Sequence, residues 1–201
     1  MLLHALRGAL ASGEVAHVVV VAPATHVDQA CRIAEAVTLG DDARRVSVVS
    51  GGADRTASVA AGLRALTDAD DVVLVHDAAR ALAPASLYSR VIAAVRAGHG
   101  AVVPGLPVTD TVKQVDEAGH VVATPARESL RAIQTPQGFD RRVLERAHAC
   151  GTSATDDAGL VEALDLPVLV VEGDPRAVKV TTPGDVATVE ALLQDDRYAG
   201  R

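Results

Sequence analysis

The sequence is short of lysine, aromatic side chains, cysteine and long apolar runs, and each shortage narrows what the chain can be. No apolar run approaches the roughly 18 residues that a membrane-spanning helix needs. Met1–Leu10 lacks a basic opening and Arg7 interrupts its apolar stretch, so it does not read as a signal peptide, and the expected compartment is the cytoplasm. Cys31 and Cys150 are the only cysteines. Neither lies in a C-x-x-C motif or near a histidine at metal-ligand spacing, and both read as ordinary thiols. No Lys/Arg-rich block occurs, and 19 basic against 26 acidic residues leave a net charge of −7. That balance points away from nucleic acid, which is gripped through its phosphates, and towards small-molecule chemistry. With one Phe, two Tyr and no Trp, Phe139 reads as a core anchor. Only Lys113 and Lys179 are lysines. In a chain that otherwise uses arginine, a surviving lysine is a candidate for a role needing its compact charge.

What is present is a rhythm of short apolar blocks in 201 residues, a length that suits one domain with a substantial core. Leu3, Leu6 and Leu10 share a helical face. The runs His17–Ala22, Val46–Val49, Val72–Val75 and Ala101–Pro104 read as strands. Helices are expected over about Val27–Val37 (ending near Gly40), Thr56–Leu66 and Pro84–Ala97. Alternating apolar strands and helices predict an α/β fold, a doubly wound, mostly parallel sheet covered on both faces. The rhythm changes over about residues 107–127. There Thr109–Val115 and His120–Thr124 read as an inserted β-hairpin arm around Asp116-Glu-Ala-Gly119. An extended stretch at Leu130–Thr135, helices at Arg141–Ala149 and Asp156–Leu164, strands at Pro167–Val171 and Ala177–Val180, and a helix at Pro183–Leu193 complete the reading.

Several blocks can carry chemistry. Gly51-Gly-Ala-Asp-Arg55, with Ser58, joins a strand to a helix, where a backbone can approach an anion closely. The same residues also make a tight turn with a polar helix start, and both readings stay open. His76-Asp-Ala-Ala-Arg80 follows a strand, at the end where open α/β sheets place ligands. Asp77 could hold Mg²⁺, which commonly takes one or two protein carboxylates beside substrate phosphates; it could equally cap the next turn and pair with Arg80. His76 reads as a structural histidine rather than a base. Lys179 precedes Thr181-Thr-Pro-Gly-Asp185, a credible helix start. Thr155–Asp157 begins another helix, with acids suited to capping. Arg127 and Gln134-Thr-Pro-Gln-Gly-Phe139 form a last cluster.

In order along the chain, these blocks resemble the 2-C-methyl-D-erythritol 4-phosphate cytidylyltransferases. The matching segments are Gly51-Gly-x-x-Arg55 with Ser58-Val59, Val75-His-Asp-Ala-Ala-Arg80, Asp110-Thr-Val-Lys113, Arg127, Gln134–Phe139, Thr155-Asp-Asp-Ala158, and Gly173-Asp through Lys179-Val-Thr-Thr. The resemblance implies a Rossmann-like nucleotidyltransferase that joins CTP to an alcohol phosphate and releases pyrophosphate. It implies that Gly52, Ala53, Ser58 and Ala78 hold the cytidine end, that Asp77 binds Mg²⁺, and that Arg80 lines the substrate site. Arg127 and Lys179 would position the attacking phosphate, helped by Thr111, Thr135 and Thr155. A homodimer is also implied, its arm carrying Arg127 and Thr111 into the neighbour's site. Members of the family open on a strand and a Gly-rich basic loop for the CTP phosphates, whereas Met1 falls where the first helix is already under way. The corresponding expectation is a gap in the sheet, with poor stability and little activity for residues 1–201 alone. A ribitol 5-phosphate cytidylyltransferase and a non-catalytic phosphate-binding paralogue are the alternatives.

Overall fold

The structure, a computed structural model, describes residues 1–37, 46–67, 69–151 and 154–194. The expected helix end near Gly40 lies outside them. Two sheets form the frame. In the smaller, β1 (Val18–Ala22) runs parallel to β2 (Val46–Ser50), in register from Val18 with Val46 to Ala22 with Ser50. Helices α1 (Leu2–Ala11) and α2 (Val27–Val37) pack there, with Leu6, Val20, Ala22 and Ala30 at the centre. Helix α3 (Arg55–Arg64) starts where the Asp54 carboxylate accepts a hydrogen bond from Ala57 N, satisfying an amide the helix cannot use itself.

The larger sheet has five strands in the path β3 (Val72–Val75), β8 (Gln137–Asp140), β4 (Ala101–Pro107), β7 (Arg131–Ile133), with β9 (Leu169–Glu172) also paired to β4. Strands β3, β4 and β9 share one direction, and β8 and β7 run against it. Helix α4 (Ala85–Arg96) buries Leu87, Tyr88, Val91, Ile92 and Val95, a spacing that makes one continuous apolar face. It lies so close to β8 that a Cβ on Gly138 would collide with the Val91 side chain. On another side of the core, Phe139, fully buried, packs with Leu63, Val73, Leu144, Leu160 and Val161. Leu144 belongs to α5 (Arg141–Ala149), and Leu160 and Val161 to α6 (Asp157–Glu162).

Strand β8 is the element that the apolar pattern did not predict. Gln137-Gly138-Phe139 has none of the β-branched character that marks strands, and pairing with β3 and β4 holds it extended instead. The strand expected at Ala177–Val180 is absent. A single 3₁₀ turn covers Pro175–Ala177, and the chain then runs extended with Val180 N bonded to the Ala79 carbonyl. The arm is present with shorter strands, β5 (Gln114–Val115) and β6 (Val121–Ala123). Its turn is closed by the Asp116 carboxylate, which accepts from Ala118 N and His120 N, and by Gly119 at φ 84°. The last helix, α7 (Pro183–Gln194), is capped by Asp185, whose carboxylate accepts from Thr181 N and Thr182 N.

Among the described residues β1 pairs only with β2, and on the other side β3 pairs only with β8. Between β1 and β3 lies a cavity of about 600 Å³, lined by Val18–Val21 and Val72–Val75 and also by Arg55, Ser58 and His76.

Candidate active site

Strand β3 ends at Val75 and delivers His76, Asp77, Ala78 and Arg80 to the carboxyl edge of the sheet. The Asp77 carboxylate meets Lys179 Nζ at 3.0 Å, across a large gap in sequence. Asp77 therefore neither pairs with Arg80 nor caps the following turn through its side chain. Arg80 donates instead to the Ala177 carbonyl at 2.7 Å and the Ile133 carbonyl at 3.1 Å. Burial lowers its pKa, opposed by Asp77, yet a guanidinium stays cationic at any ordinary pH. Arg80 thus clamps the segment that carries Lys179 onto the turn that carries Asp77.

Thr135 is buried, and its hydroxyl accepts from Asp77 N at 3.0 Å while sharing a hydrogen bond with His76 Nδ1 at 2.9 Å. Burial pulls the His76 pKa down to about 4, against the pull of Asp77, so the ring is neutral at pH 7. Among the described residues no three His, Cys, Asp or Glu side chains gather as a metal cage. Asp77 as a lone carboxylate still fits an ion that keeps most of its shell for water and phosphate.

The Gly51–Asp54 turn is built for close approach. A Cβ on Gly52 would collide with Ala57, and one on Gly51 would meet Ser58 Oγ at 2.8 Å. Ser58 Oγ accepts from Gly52 N at 3.1 Å and donates to the Asp54 carbonyl at 2.7 Å. Ser58 thus closes the turn, while Gly52, Ala53 and Asp54 remain at the surface. Arg55, at the first position of α3, reaches a third group: its Nη2 lies 2.6 Å from Asp157 Oδ2.

Asp157 is fully buried, and His148 Nε2 lies 2.9 Å from its other oxygen. Burial alone would raise its pKa, but the His148 hydrogen bond and the Arg55 charge outweigh that and hold it below the ordinary 3.8. The expectation that these acids are capping residues holds for Asp156, which accepts from Gly159 N and from Gln137 Nε2. It fails for Asp157, whose carboxylate faces the core. Sequence reasoning missed this group because an acid in the first helical turn is ordinary on the surface. Thr155, the neighbouring residue, is exposed beside this network.

Arg127 and Thr111 sit on the exposed arm. Arg127 donates to the Thr109 carbonyl at 2.8 Å, and Lys113 donates to Thr124 Oγ1 at 2.8 Å. Among the described residues, no hydrogen bond or ion pair links Arg127 or Thr111 to Asp77, Arg80 or Lys179. The structure thus brings Asp77, Arg80, Thr135 and Lys179 together, places Gly52, Ala53 and Ser58 in one turn, and leaves the arm residues apart.

Residues 1–195 match the family model described as 2-C-methyl-D-erythritol 4-phosphate cytidylyltransferase (IspD). The chain belongs to that family. A cytidylyltransferase of that description from Nocardia farcinica is 53% identical over 195 residues, covering 97% of this chain and 81% of the relative. One from Rhodococcus jostii is 49% identical, covering 98% and 84%. Among solved structures, the 4-diphosphocytidyl-2C-methyl-D-erythritol synthase of Anaerococcus prevotii superposes with a TM-score of 0.87 at 31% identity, over 96% of this chain and 88% of that one. The cytidylyltransferase of Thermus thermophilus gives 0.74 at 38% identity, over 94% and 85%.

Proposed function

We propose that this chain transfers the cytidylyl group of CTP to 2-C-methyl-D-erythritol 4-phosphate, giving the CDP-alcohol and pyrophosphate in non-mevalonate isoprenoid precursor synthesis. The observation that carries the reading is the Asp77–Lys179 pair at 3.0 Å, beyond the carboxyl end of β3, with the Gly51–Asp54 turn beyond the carboxyl end of β2. Both reactants are anions. A phosphate oxygen of the alcohol attacks the α-phosphorus, the bond to the β-phosphate oxygen breaks, and pyrophosphate leaves with that electron pair. No proton needs abstracting, which suits a site whose nearest histidine is a neutral structural group. The protein's work is then to neutralise charge and fix geometry.

Gly52, Ala53, Ser58 and Ala78 hold the cytidine end. Lys179 positions the attacking phosphate, and Arg80 and Thr155 line its site. Thr135 contributes by orienting the Asp77 backbone and His76 rather than by a free hydroxyl. Asp77 would hold a magnesium ion, which would supply neutralisation of charge at the reacting phosphates.

The arm supports a homodimer. Val112, Val115, Val121 and Val122 are exposed along it, a surface that a second copy would cover. Arg127 and Thr111 then serve the partner's site, and the assembly works in the cytoplasm. Among the described residues no helix is long and apolar enough to cross a membrane.

Pyrophosphate release by the protein purified from its source cell, requiring both CTP and 2-C-methyl-D-erythritol 4-phosphate and falling about a hundredfold in Lys179→Ala, is the expected result. Binding of the alcohol phosphate without any release would favour the paralogue reading, and preference for ribitol 5-phosphate would change the substrate. Mixing Arg127→Ala with Lys179→Ala protein tests the arm. If Arg127 acts across the dimer, about a quarter of the activity returns, because half the re-formed dimers regain one intact site; no return assigns Arg127 to its own subunit.

A further inference from the structure

Among the described residues, Asp157 with Arg55 and His148 forms a charged cluster around a fully buried carboxylate, and the proposed chemistry leaves it without a task. A cation in the first turn of a helix opposes the helix dipole, so Arg55 is poorly placed unless an anion faces it. Asp157 supplies that anion from α6 at 2.6 Å, an ion pair outside hydrogen-bond geometry. His148, its side chain 6% exposed, closes the carboxylate from α5 at 2.9 Å. Such a buried carboxylate cannot move without stranding a charge.

The chain neighbours of these residues give the cluster a direction. Arg55 follows the Gly51–Asp54 turn directly, while Asp157 lies two residues after Thr155. Asp156, between them, is tied by Gln137 Nε2 at 2.7 Å to β8, and Gln137 lies opposite Val75 in the ladder that leads into Asp77. One buried network therefore joins the glycine turn, Thr155 and the strand that delivers Asp77.

We propose that Asp157 is a positioning residue which, acting through Arg55, fixes the Gly51–Asp54 turn relative to Thr155 and so sets the fit of the nucleotide. This inference rests on the cytidylyltransferase reading. Asp157 touches no reactant; its influence passes along α3 into the turn. Loss of the pair frees Arg55 and the start of α3, so nucleotide binding weakens while the attacking phosphate, held by Lys179 and Arg80, keeps its place.

Steady-state kinetics of Asp157→Asn, Arg55→Gln and the double variant test this, with thermal unfolding recorded for each. The expected result is a KM for CTP raised about tenfold in each single variant, kcat within about threefold of wild type, and a double variant no worse than either single one. Arg55 is 38% exposed, so Arg55→Gln still carries the test if Asp157→Asn fails to fold. Multiplying effects in the double variant, or an unchanged KM for CTP in folded Arg55→Gln, would overturn the inference while leaving the functional reading intact. An equal fall in kcat and kcat/KM would overturn it too, because that marks a loss felt only in the transition state. A wild-type protein with no CTP turnover would remove the functional reading and this inference together.

Discussion

The two sheets of this molecule solve the same packing problem with different completeness. In the larger one, β8 is paired on both edges, by β3 and β4, and helices bring Leu87, Tyr88 and Leu144 to full burial against the sheet, where Phe139 of β8 is fully buried too. In the smaller, β1 and β2 pair on one edge, and the apolar cluster beneath them rests on Leu6, Val20 and two alanines. Across the cavity of about 600 Å³ the two sheets touch through helices rather than through a shared ladder. A Cβ on Gly62 of α3 would lie only 3.0 Å from the Val21 side chain, and the Arg55–Asp157 pair ties the same helix to the other half. An edge strand facing a cavity leaves a row of backbone groups outside any ladder. Among the described residues, α3 links β1 to the larger half, with Gly62 against Val21 and Arg55 paired to Asp157.

If that contrast is right, core deletions should cost unequally. Phe139→Ala should lower the unfolding free energy by about 3–5 kcal/mol, and Leu6→Ala by about 2 kcal/mol, the low end for a leucine beside space that can collapse. Denaturant melts of the two variants check this, and equal costs would mean that the halves are equally packed. Amide exchange should rank the same way, with β4 protected longest and β1 released first.

The acid response should be smaller and should fall on the link between the halves. The folded-state pKa of Asp157 lies below 3.8, so its contribution to stability is complete above that pH and fades as pH falls through the lower folded value. Wild type should therefore lose stability below about pH 4 more steeply than Asp157→Asn, although it starts from a higher value at pH 7. Parallel curves from pH 6 to 2.5 would show that Asp157 carries no such linkage. The smallest effect is expected at the rim of the cavity, where Glu14 meets Arg96 at 3.2 Å with both side chains partly exposed. Glu14→Gln should change stability by under about 1 kcal/mol, and salt should erase even that; a larger loss would make this pair a true clamp between the sheets.

Much of the frame was legible in the sequence because buried strands of Val and Leu announce themselves, as at Val18–Ala22 and Val72–Val75. The blocks that the sequence singles out around Asp77 and Lys179 lie together, with Asp77 and Lys179 3.0 Å apart. What stayed hidden depended on partners distant in the chain. Gln137–Asp140 becomes a strand only because two neighbours pair with it. Ala177–Val180 reads as a strand but finds no strand partner among the described residues, since Arg80 holds the Ala177 carbonyl and the Ala79 carbonyl holds Val180 N. Asp157 reads as a helix-start acid until α5 and α3 are folded around it, because burial is a property of the assembled core.

The sparing use of lysine has a consequence for handling the protein. Lys113 sits on the arm and Lys179, half exposed, sits beside Asp77, so an amine-directed reagent meets few places to attach besides the amino terminus. Bound alcohol phosphate should shield Lys179 and leave Lys113 open, so that a dye coupled under saturating ligand becomes a reporter of the arm alone. The second lysine, uncovered when ligand is washed away, can then take a different dye.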